Sequence, residues 1–286
     1  MVEGDLKKKI NYKTVGVHQQ NTKKNFFYFD KMSNKFALTT VCYNSRFTLP
    51  LVIDDFLTQT SLPENTSWYV LLQNCSDEFC NKIVDLCKKR VRLVLVRFED
   101  NLGLSKAMSY VIALTKNFEY VLNIEDDWIL LHTHVPNKNW LKDCMEFMEL
   151  NTHVSTLALR AYNTDAEKYQ YGWTRTIPYR CHEHKDNFNY QAKMSESKVI
   201  EFKEGLTFRE IPHFLFTFNP CLVRNADYHK TAYPLPVFAL DQKKESHSAD
   251  WGSCEALTME KTRHLTTYYL NQGLLGHAED WFALIR

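Results

Sequence analysis

The sequence has almost no surplus charge and no long apolar run, and each absence excludes a class of protein. Lys and Arg number 35 against 34 Asp and Glu, a formal net charge of +1. This balance gives no electrostatic reason to expect nucleic acid or an acidic membrane surface as the main partner. The most apolar run, residues 93–98, is too short to cross a bilayer, so no transmembrane segment is expected.

A secretory signal is also missing, because the first 30 residues are polar and charged and contain no apolar segment of that kind. Without secretion, the eight cysteines are expected to be reduced core residues, since none of them forms a Cys-x-x-Cys pair. The run Cys181-His182-Glu183-His184 resembles a metal cluster but has no partners at zinc spacing, so no zinc site is predicted there. The sequence thus predicts a soluble, cytoplasmic protein.

Residues 35–131 show a regular alternation of strand and helix patterns. Buried strands are predicted at 36–43, 68–72, 91–98 and 121–124, with helices at 49–62, at 78–89 and up to about residue 116. This order predicts an α/β fold with a mostly parallel sheet and helices on both faces. The polar turns after the strands would then lie together at one edge, where such sheets bind ligands.

The rest of the chain is less regular. A helix is predicted at 138–150, a strand at 155–161, a helix at 249–264 and a strand at 266–270. Residues 162–212 are predicted to be mostly loop, and 229–249 a flexible loop. Three aromatic residues in this half either pack in the core or stack on a sugar ring: Trp173, Tyr179 and Phe216. We therefore divide the chain into a polar extension, 1–34, and one domain, 35–286, with halves 35–131 and 132–286.

Three adjacent carboxylates, Glu125-Asp126-Asp127, follow the fourth predicted strand. Adjacent acids repel each other, and these lie between apolar residues instead of on a solvated helix face. A hard divalent cation, which prefers oxygen ligands, would offset the repulsion. The alternative from the residues alone is an exposed acidic turn at the end of a strand.

With its turns in this order, the chain resembles a GT-A fold, nucleotide-sugar-dependent glycosyltransferase of the family 2 type. The motifs that carry the resemblance are Tyr43-Asn44-Ser45-Arg46, Asn74-Cys75-Ser76-Asp77, Asn101-Leu102-Gly103-Leu104-Ser105-Lys106-Ala107, and Glu125-Asp126-Asp127 in place of the D-x-D motif. The resemblance covers about 36–280 and is poor over 162–248. Within this family, the chain is similar to glycosyltransferases of large algal DNA viruses. This similarity would place the protein in the cytoplasm of the host.

The resemblance implies a set of site residues. Asp127 and His277 would hold the metal, and Glu255 would be the general base, with Asp250 as its competitor or as a helix N-cap. The residues expected to bind the nucleotide sugar are Thr40, Tyr43, Asn44, Arg46, Asn74, Asp77, Asn101, Gly103, Lys106, Glu125 and Asp126.

The resemblance also implies a reaction. The cofactor would be Mn²⁺ or Mg²⁺, and an imidazole ligand favours Mn²⁺. The donor would be a UDP-sugar with a small sugar such as xylose, glucose or galactose, and the acceptor a hydroxyl of a glycan or glycoprotein. A base opposite the leaving group predicts inversion at the anomeric carbon.

Two other functions compete with this one. A nucleotidyltransferase that makes sugar nucleotides ordinarily has a Gly-rich, basic loop after its first strand, and Tyr43-Asn44-Ser45-Arg46 contains no glycine. A non-catalytic sugar-binding module on a transferase scaffold is expected to have lost its acids, whereas Asp126, Asp127 and Glu255 are present. Hydrolysis of the donor sugar without an acceptor would separate an active transferase from such a module.

Overall fold

The computed structural model describes residues 35–160, 199–203, 205–211, 220–231, 261, 264–270 and 273–278. The strands in chain order are β1 (Phe36–Tyr43), β2 (Ser67–Gln73), β3 (Arg92–Phe98), β4 (Tyr120–Asn123), β5 (Trp128–Leu130), β6 (Val154–Ala158), β7 (Val199–Lys203), β8 (Leu206–Ile211), β9 (Cys221–Arg224), β10 (Thr266–Leu270) and β11 (Leu275–His277). The helices are α1 (Thr48–Gln59), α2 (Asp77–Cys87), α3 (Leu104–Leu114), α4 (Trp140–Leu150) and α5 (Asn225–Thr231).

The main sheet has the strand order β3-β2-β1-β4-β9-β6-β10-β8-β7. Its first four strands are mutually parallel, and β10 is parallel to β6. Strands β9, β8 and β7 run antiparallel to their neighbours. A separate antiparallel pair, β5 with β11, continues the chain directly after the acidic triplet. This arrangement confirms the predicted mixed α/β fold.

The alternation of side chains along β1 explains why helices cover both faces. Leu38 and Cys42 point into the larger core with α1, α2 and α4, where Phe56 packs edge-on against Trp68 at 5.6 Å and Trp140 at 6.0 Å between ring centroids. On the opposite face, Ala37 packs with Met108 and Ile112 of α3. The helices on both sides of the sheet were predicted from the sequence, and the structure confirms them.

The elements of the first half lie within three residues of their predicted bounds. Helix α2 begins as expected, because the Ser76 hydroxyl accepts a hydrogen bond from the Phe79 amide at 3.2 Å. Helix α4 and strands β6 and β10 also lie at the predicted places. The local patterns of these segments agree with their tertiary roles.

The structure differs from prediction in three places, two in the second half and one at the end of the first. Strands β7 and β8 lie in the stretch predicted to be mostly loop, because they gain their hydrogen bonds from each other and from β10. Helix α5 extends into the predicted loop 229–249. Strand β5 has three residues and was not predicted, since its pairing comes entirely from β11.

Other predictions lie outside the described residues: the extension 1–34, the 181–184 cluster, Trp173, Tyr179, Phe216 and nearly all of the 249–264 helix. Among the helices that the structure describes, none is both long and apolar enough to span a membrane.

Candidate functional site

Hydrogen bonds join the turns that follow β1, β2 and β3 at the carboxyl edge of the sheet. The Asn44 amide donates to the Gln73 carbonyl at 2.9 Å, and the Asn74 amide donates to the Phe98 carbonyl at 2.9 Å. The Ser76 amide donates to the Ser45 hydroxyl at 3.0 Å. The three polar turns predicted to share one edge therefore form one connected surface.

Left-handed backbone conformations shape this surface. Asn44, Ser45 and Asn74 have φ values of 58°, 51° and 51°, a region that asparagine tolerates better than most residues. The Ser45 backbone amide donates to the Cys75 sulfur at 3.2 Å. The Asn74 side-chain nitrogen, Nδ2, donates to the Asn44 side-chain oxygen at 3.4 Å. The two predicted asparagines are thus brought together on the exposed side of the turn.

The loop before α3 is tied to the same surface. The Asn101 side-chain oxygen accepts a hydrogen bond from the Gly103 amide at 2.9 Å, and Gly103 starts the helix with a φ of 76°, which favours glycine. The Gln73 side chain accepts from the Leu102 amide at 2.8 Å. Gln73 was not among the predicted residues, although a buried polar side chain at the last position of a strand is a signal that could have identified it.

Asp126 and Asp127 are both largely buried, with 8% and 7% of their surface exposed. The Arg46 guanidinium bridges them, with Nη1 at 3.0 Å from Asp127 Oδ2 and 3.4 Å from Asp126 Oδ1. Burial, and then the charge of Asp127, raise the pKa of Asp126 to about 6, while a hydrogen bond with Cys42 and the charge of Arg46 act in the opposite direction. Arg46 therefore lies where a cation stabilises the carboxylate pair.

The carboxylate pair fits a hard divalent cation by its donor chemistry. Two buried carboxylates share a single guanidinium, and their oxygens are the ligands that Mg²⁺ and Mn²⁺ accept. Within the described part of the chain, no group of three His, Cys, Asp or Glu side chains is placed to hold a metal. A third protein ligand would have to come from elsewhere.

The backbone places His277 next to this pair. Strand β11 pairs with β5 so that His277 lies opposite Trp128, and the Ala278 amide donates to the Asp127 carbonyl at 2.7 Å. The side chain of His277 lies outside the described part of the structure. Asp127 and His277 are thus neighbours along the backbone of the ribbon although they are far apart in the sequence, as a shared metal site requires.

Several other predicted residues have different surroundings. Thr40 is fully buried and accepts a hydrogen bond from the Trp68 indole at 3.0 Å, which places its side chain in the core and away from the edge. Asp77 pairs with Arg97, Lys106 is exposed on α3, and Glu125 is half-buried.

The remaining predicted residues are Tyr43 and the two candidates for the general base. Tyr43 is partly exposed at the end of β1. The two candidates for the general base, Glu255 and Asp250, lie outside the described residues, so their roles stay predictions.

Two further side chains lie at the site and were not predicted. The Cys42 thiol, whose pKa is raised by a hydrogen bond with Cys75 and by burial, lies against Asp126. The Arg160 guanidinium lies 5.3 Å from the ring centroid of Trp128, directly after the acidic pair. Neither residue has a motif that marks it, since each reaches the site only through strand pairing.

The raised pKa of Asp126 predicts how metal-free stability depends on pH. Because the folded-state pKa exceeds that of the unfolded chain, the contribution of Asp126 is most favourable below about pH 4 and is lost as the pH rises through about 6. Asp126→Asn is therefore expected to increase the free energy of unfolding at pH 8 by on the order of 2 kcal/mol, with little difference near pH 4. Urea denaturation in EDTA measures this, and a variant less stable than the parent at pH 8 would contradict it.

Several solved structures share this fold. TarS 1–349 of S. aureus matches with a TM-score of 0.54 and 16% sequence identity, covering 88% of this chain and 63% of that one. TarS 1–349 in complex with UDP-GlcNAc matches with a TM-score of 0.51 and 16% identity, covering 85% and 58%. The mannosyltransferase PcManGT of Pyrobaculum calidifontis, in complex with GDP-Man and Mn²⁺, matches with a TM-score of 0.52 and 11% identity, covering 85% and 56%.

No protein-family model and no curated protein matches the sequence. The chain spans less than two thirds of each of these structures, and 38% of a longer TarS chain. At such identities the likeness concerns the fold alone, and it agrees with the large, partly parallel sheet described above. This chain has the GT-A fold of nucleotide-sugar glycosyltransferases.

Proposed function

We propose that this protein is a metal-dependent inverting glycosyltransferase that transfers a sugar from a UDP-sugar to a hydroxyl of a glycan or glycoprotein. The observation that carries the proposal is the buried pair Asp126 and Asp127, which lies at the carboxyl edge of a parallel sheet beside the Arg46 turn. Proteins with the same fold are solved with UDP-GlcNAc, or with GDP-Man and Mn²⁺, which supports a nucleotide sugar as the ligand.

In this proposal the metal is held by Asp127 and His277. The metal, when bound, supplies a Lewis acid that neutralises the charge on the departing diphosphate. Asp126 hydrogen-bonds the ribose or the donor sugar, and its burial keeps water away from that contact. Arg46, released from the carboxylate pair, provides positive charge for the phosphates.

The surface formed by the turns holds the nucleoside. The Asn44 and Asn74 amides present a donor and an acceptor where the left-handed turns leave them exposed. Gln73 and Gly103 fix the position of the loop before α3, so that the surface exists before the nucleotide binds. Such preorganisation lowers the entropy cost of binding.

The proposed base is Glu255, with Asp250 as the alternative. The base removes the proton of the acceptor hydroxyl while that oxygen attacks the anomeric carbon from the side opposite the diphosphate, which inverts the configuration. Proton transfer of this kind typically contributes about 10²–10⁴-fold to the rate. The acceptor, the cytoplasmic location and the kinship with viral enzymes stay predictions of the sequence.

The competing functions differ from this one at specific features. The turn after β1 uses two non-glycine residues in left-handed conformations, Asn44 and Ser45, where a nucleotidyltransferase ordinarily has a glycine-rich loop for a triphosphate. A decayed sugar-binding module has no reason to keep two buried carboxylates at a cost in stability. We therefore favour the transferase over both.

Calorimetric titration of UDP, with and without Mn²⁺, tests the proposal. Binding that requires Mn²⁺ is expected, followed by slow hydrolysis of the matching UDP-sugar when no acceptor is present. Manganese-dependent binding without hydrolysis or transfer would favour the non-catalytic module. Failure to bind UDP with any divalent metal would exclude the uridine donor, and GDP-, CMP- and dTDP-linked sugars would be tested next.

A further inference from the structure

The two-stranded ribbon of β5 and β11 carries both proposed metal ligands but is separate from the main sheet. Asp127 immediately precedes β5, and His277 is the last residue of β11. The hydrogen-bonded ladder of the parallel strands ends before the acidic triplet, at the Ile124 amide, which donates to the Thr39 carbonyl at 2.9 Å. Beyond that bond, the position of Asp127 depends on what holds the ribbon.

The carboxylate of Asp55, on α1, is bonded to the β5 strand of the ribbon. Asp55 Oδ2 accepts a hydrogen bond from the Leu130 amide of β5 at 3.1 Å, and Asp55 Oδ1 lies 2.5 Å from His132 Nε2. Both oxygens of this half-buried side chain are therefore used on one three-residue segment. Leu130 is 1% exposed, so its buried amide would lose a hydrogen-bond partner if Asp55 were removed.

The two sides of the ribbon are held differently. On the β11 side, the Leu274 and Leu275 amides donate to the carbonyl of Leu159, directly after β6, at 2.7 and 3.1 Å. β5 pairs with β11 over three residues, and the Leu131 amide donates to the Leu274 carbonyl at 2.8 Å. These bonds hold the two strands to each other, so the position of β5 depends on Asp55 on one side and on β11 on the other. At Gly276, an added Cβ would lie 2.9 Å from the Leu131 side chain, which shows how closely the two strands approach.

We propose that Asp55 is a positioning residue. It holds the β5–β11 ribbon, and with it Asp127, where the proposed ligands of the ribbon can reach one divalent cation. The inference rests on the proposed function, because it concerns the metal site of that transferase. Asp55 touches neither metal nor substrate. It acts by fixing the strand that begins one residue after Asp127, in the way that groups behind metal ligands commonly tune affinity by 10–100-fold.

Asp54 offers a matched control, because it precedes Asp55 in the same helix. Its carboxylate pairs with Arg90 at 2.7 Å and has no hydrogen bond to the ribbon among those described. Asp54→Ala and Asp55→Ala remove the same charge from neighbouring positions, and each removes one close contact with a basic side chain, Arg90 or His132. A general effect of charge or helix stability would change both variants alike.

The experiment measures Mn²⁺ affinity in the presence of UDP for the full chain and its variants. Asp55→Ala is expected to weaken Mn²⁺ binding on the order of 10-fold or more, whereas Asp54→Ala stays within about twofold. Amide exchange of the peptide containing residues 128–132 is expected to accelerate in Asp55→Ala alone. Asp55→Asn keeps an oxygen for the Leu130 amide and is expected to recover most of the affinity, which a purely electrostatic role would not allow.

The outcomes separate this inference from the proposed function. If the unsubstituted chain binds Mn²⁺ and UDP while Asp55→Ala binds them equally well, the positioning role of Asp55 is wrong and the transferase proposal stands. Equal losses in Asp54→Ala and Asp55→Ala would also overturn the role. If Asp55→Ala does not fold, the comparison of Asp55→Leu with Asp54→Leu decides, because leucine fills the space of the carboxylate but accepts no hydrogen bond. An unchanged exchange rate at 128–132 in Asp55→Leu contradicts the attachment. An unsubstituted chain that binds neither ligand would contradict the proposed function and this role together.

Discussion

Replacing Asp127 by Asn is expected to abolish the manganese-dependent binding of UDP while the chain stays folded. The change keeps the size of the side chain but removes the charge that a divalent cation needs from its protein ligand. With a metal contribution of several kcal/mol, the loss in UDP affinity in the presence of Mn²⁺ is expected to be on the order of 100-fold or more. Calorimetry of UDP with and without Mn²⁺ measures it directly.

The stability of Asp127→Asn without metal is a second expected result, because the change affects stability and metal binding differently. Asp127 is the nearby charge that raises the pKa of Asp126, so its neutralisation relieves repulsion between two buried carboxylates. The same change removes the ion pair of Asp127 with Arg46 at 3.0 Å, which acts in the opposite direction, so the metal-free variant is expected to stay within about 1 kcal/mol of the parent at pH 8. Urea denaturation in EDTA measures this stability, and a value in that range would exclude misfolding as the cause of lost binding.

Asp143→Asn is a suitable control for Asp127→Asn. Asp143 is also a partly buried aspartate in an ion pair, with Lys203 at 2.6 Å, but it lies on α4 away from the sheet edge. Its replacement is expected to leave UDP binding unchanged. Manganese-dependent UDP binding that survives in Asp127→Asn would show that the metal, if any, is held elsewhere.

Arg46→Gln is expected to change the binding of metal and nucleotide in opposite directions. The Arg46 guanidinium contacts both carboxylates, so a divalent cation must compete with it for the same oxygens. Without this competitor, Mn²⁺ alone is expected to bind about tenfold more tightly. UDP in the presence of Mn²⁺ is expected to bind about tenfold more weakly, because the phosphates lose one charge-assisted contact.

The metal-free fold is expected to become less stable in Arg46→Gln. Breaking a buried ion pair commonly costs about 3–5 kcal/mol. Arg46 is 38% exposed, so solvent screening reduces the expected loss to about 1–2 kcal/mol. Mn²⁺ should restore that stability, so the shift in melting temperature on adding Mn²⁺ is expected to be larger in the variant than in the parent.

Arg90→Gln is the control for this prediction. Arg90 makes an ion pair with Asp54 and hydrogen bonds to Thr58, on a surface that contains none of the proposed ligands. Paramagnetic resonance of free Mn²⁺ measures the affinity of each variant without nucleotide. Equal Mn²⁺ affinity in the parent and in Arg46→Gln would show that the guanidinium does not occupy the place of the cation.

The first half of the fold was predictable because its signals are local. β1, β2 and β4 are short buried apolar runs, and each is followed by polar residues suited to a turn. The hydroxyl of Ser76 bonds an amide three residues away, so the start of α2 could be predicted from the sequence alone. The turns that contain Asn44 and Asn74 were predicted to lie together because parallel strands place their ends at one edge, and the resemblance supplied the two residues as candidates for binding the nucleotide.

The predictions failed where a segment depends on distant partners. β7 and β8 have weak patterns of their own and are strands because β10 extends the sheet toward them. Thr40 follows the polar pattern of a site residue, but the indole of Trp68 holds it in the core. In the sequence, Asp54 and Asp55 are two adjacent acids on a predicted helix. Only the structure shows that Asp55 contacts β5 whereas Asp54 pairs with Arg90.

By itself the sequence determined the alternation of strands and helices up to β4, the edge at which polar turns collect, and the acidic pair that follows. Hydrophobic period and turn chemistry act over a few residues, and those few residues suffice for such conclusions. Only the tertiary structure decided that Arg46 bridges two acids 80 and 81 residues away, that β11 lies beside β5, and that Asp55 holds that ribbon. These contacts depend on strand order and register. Both arise from the packing of the whole domain, so the residue type at a single position does not predict them.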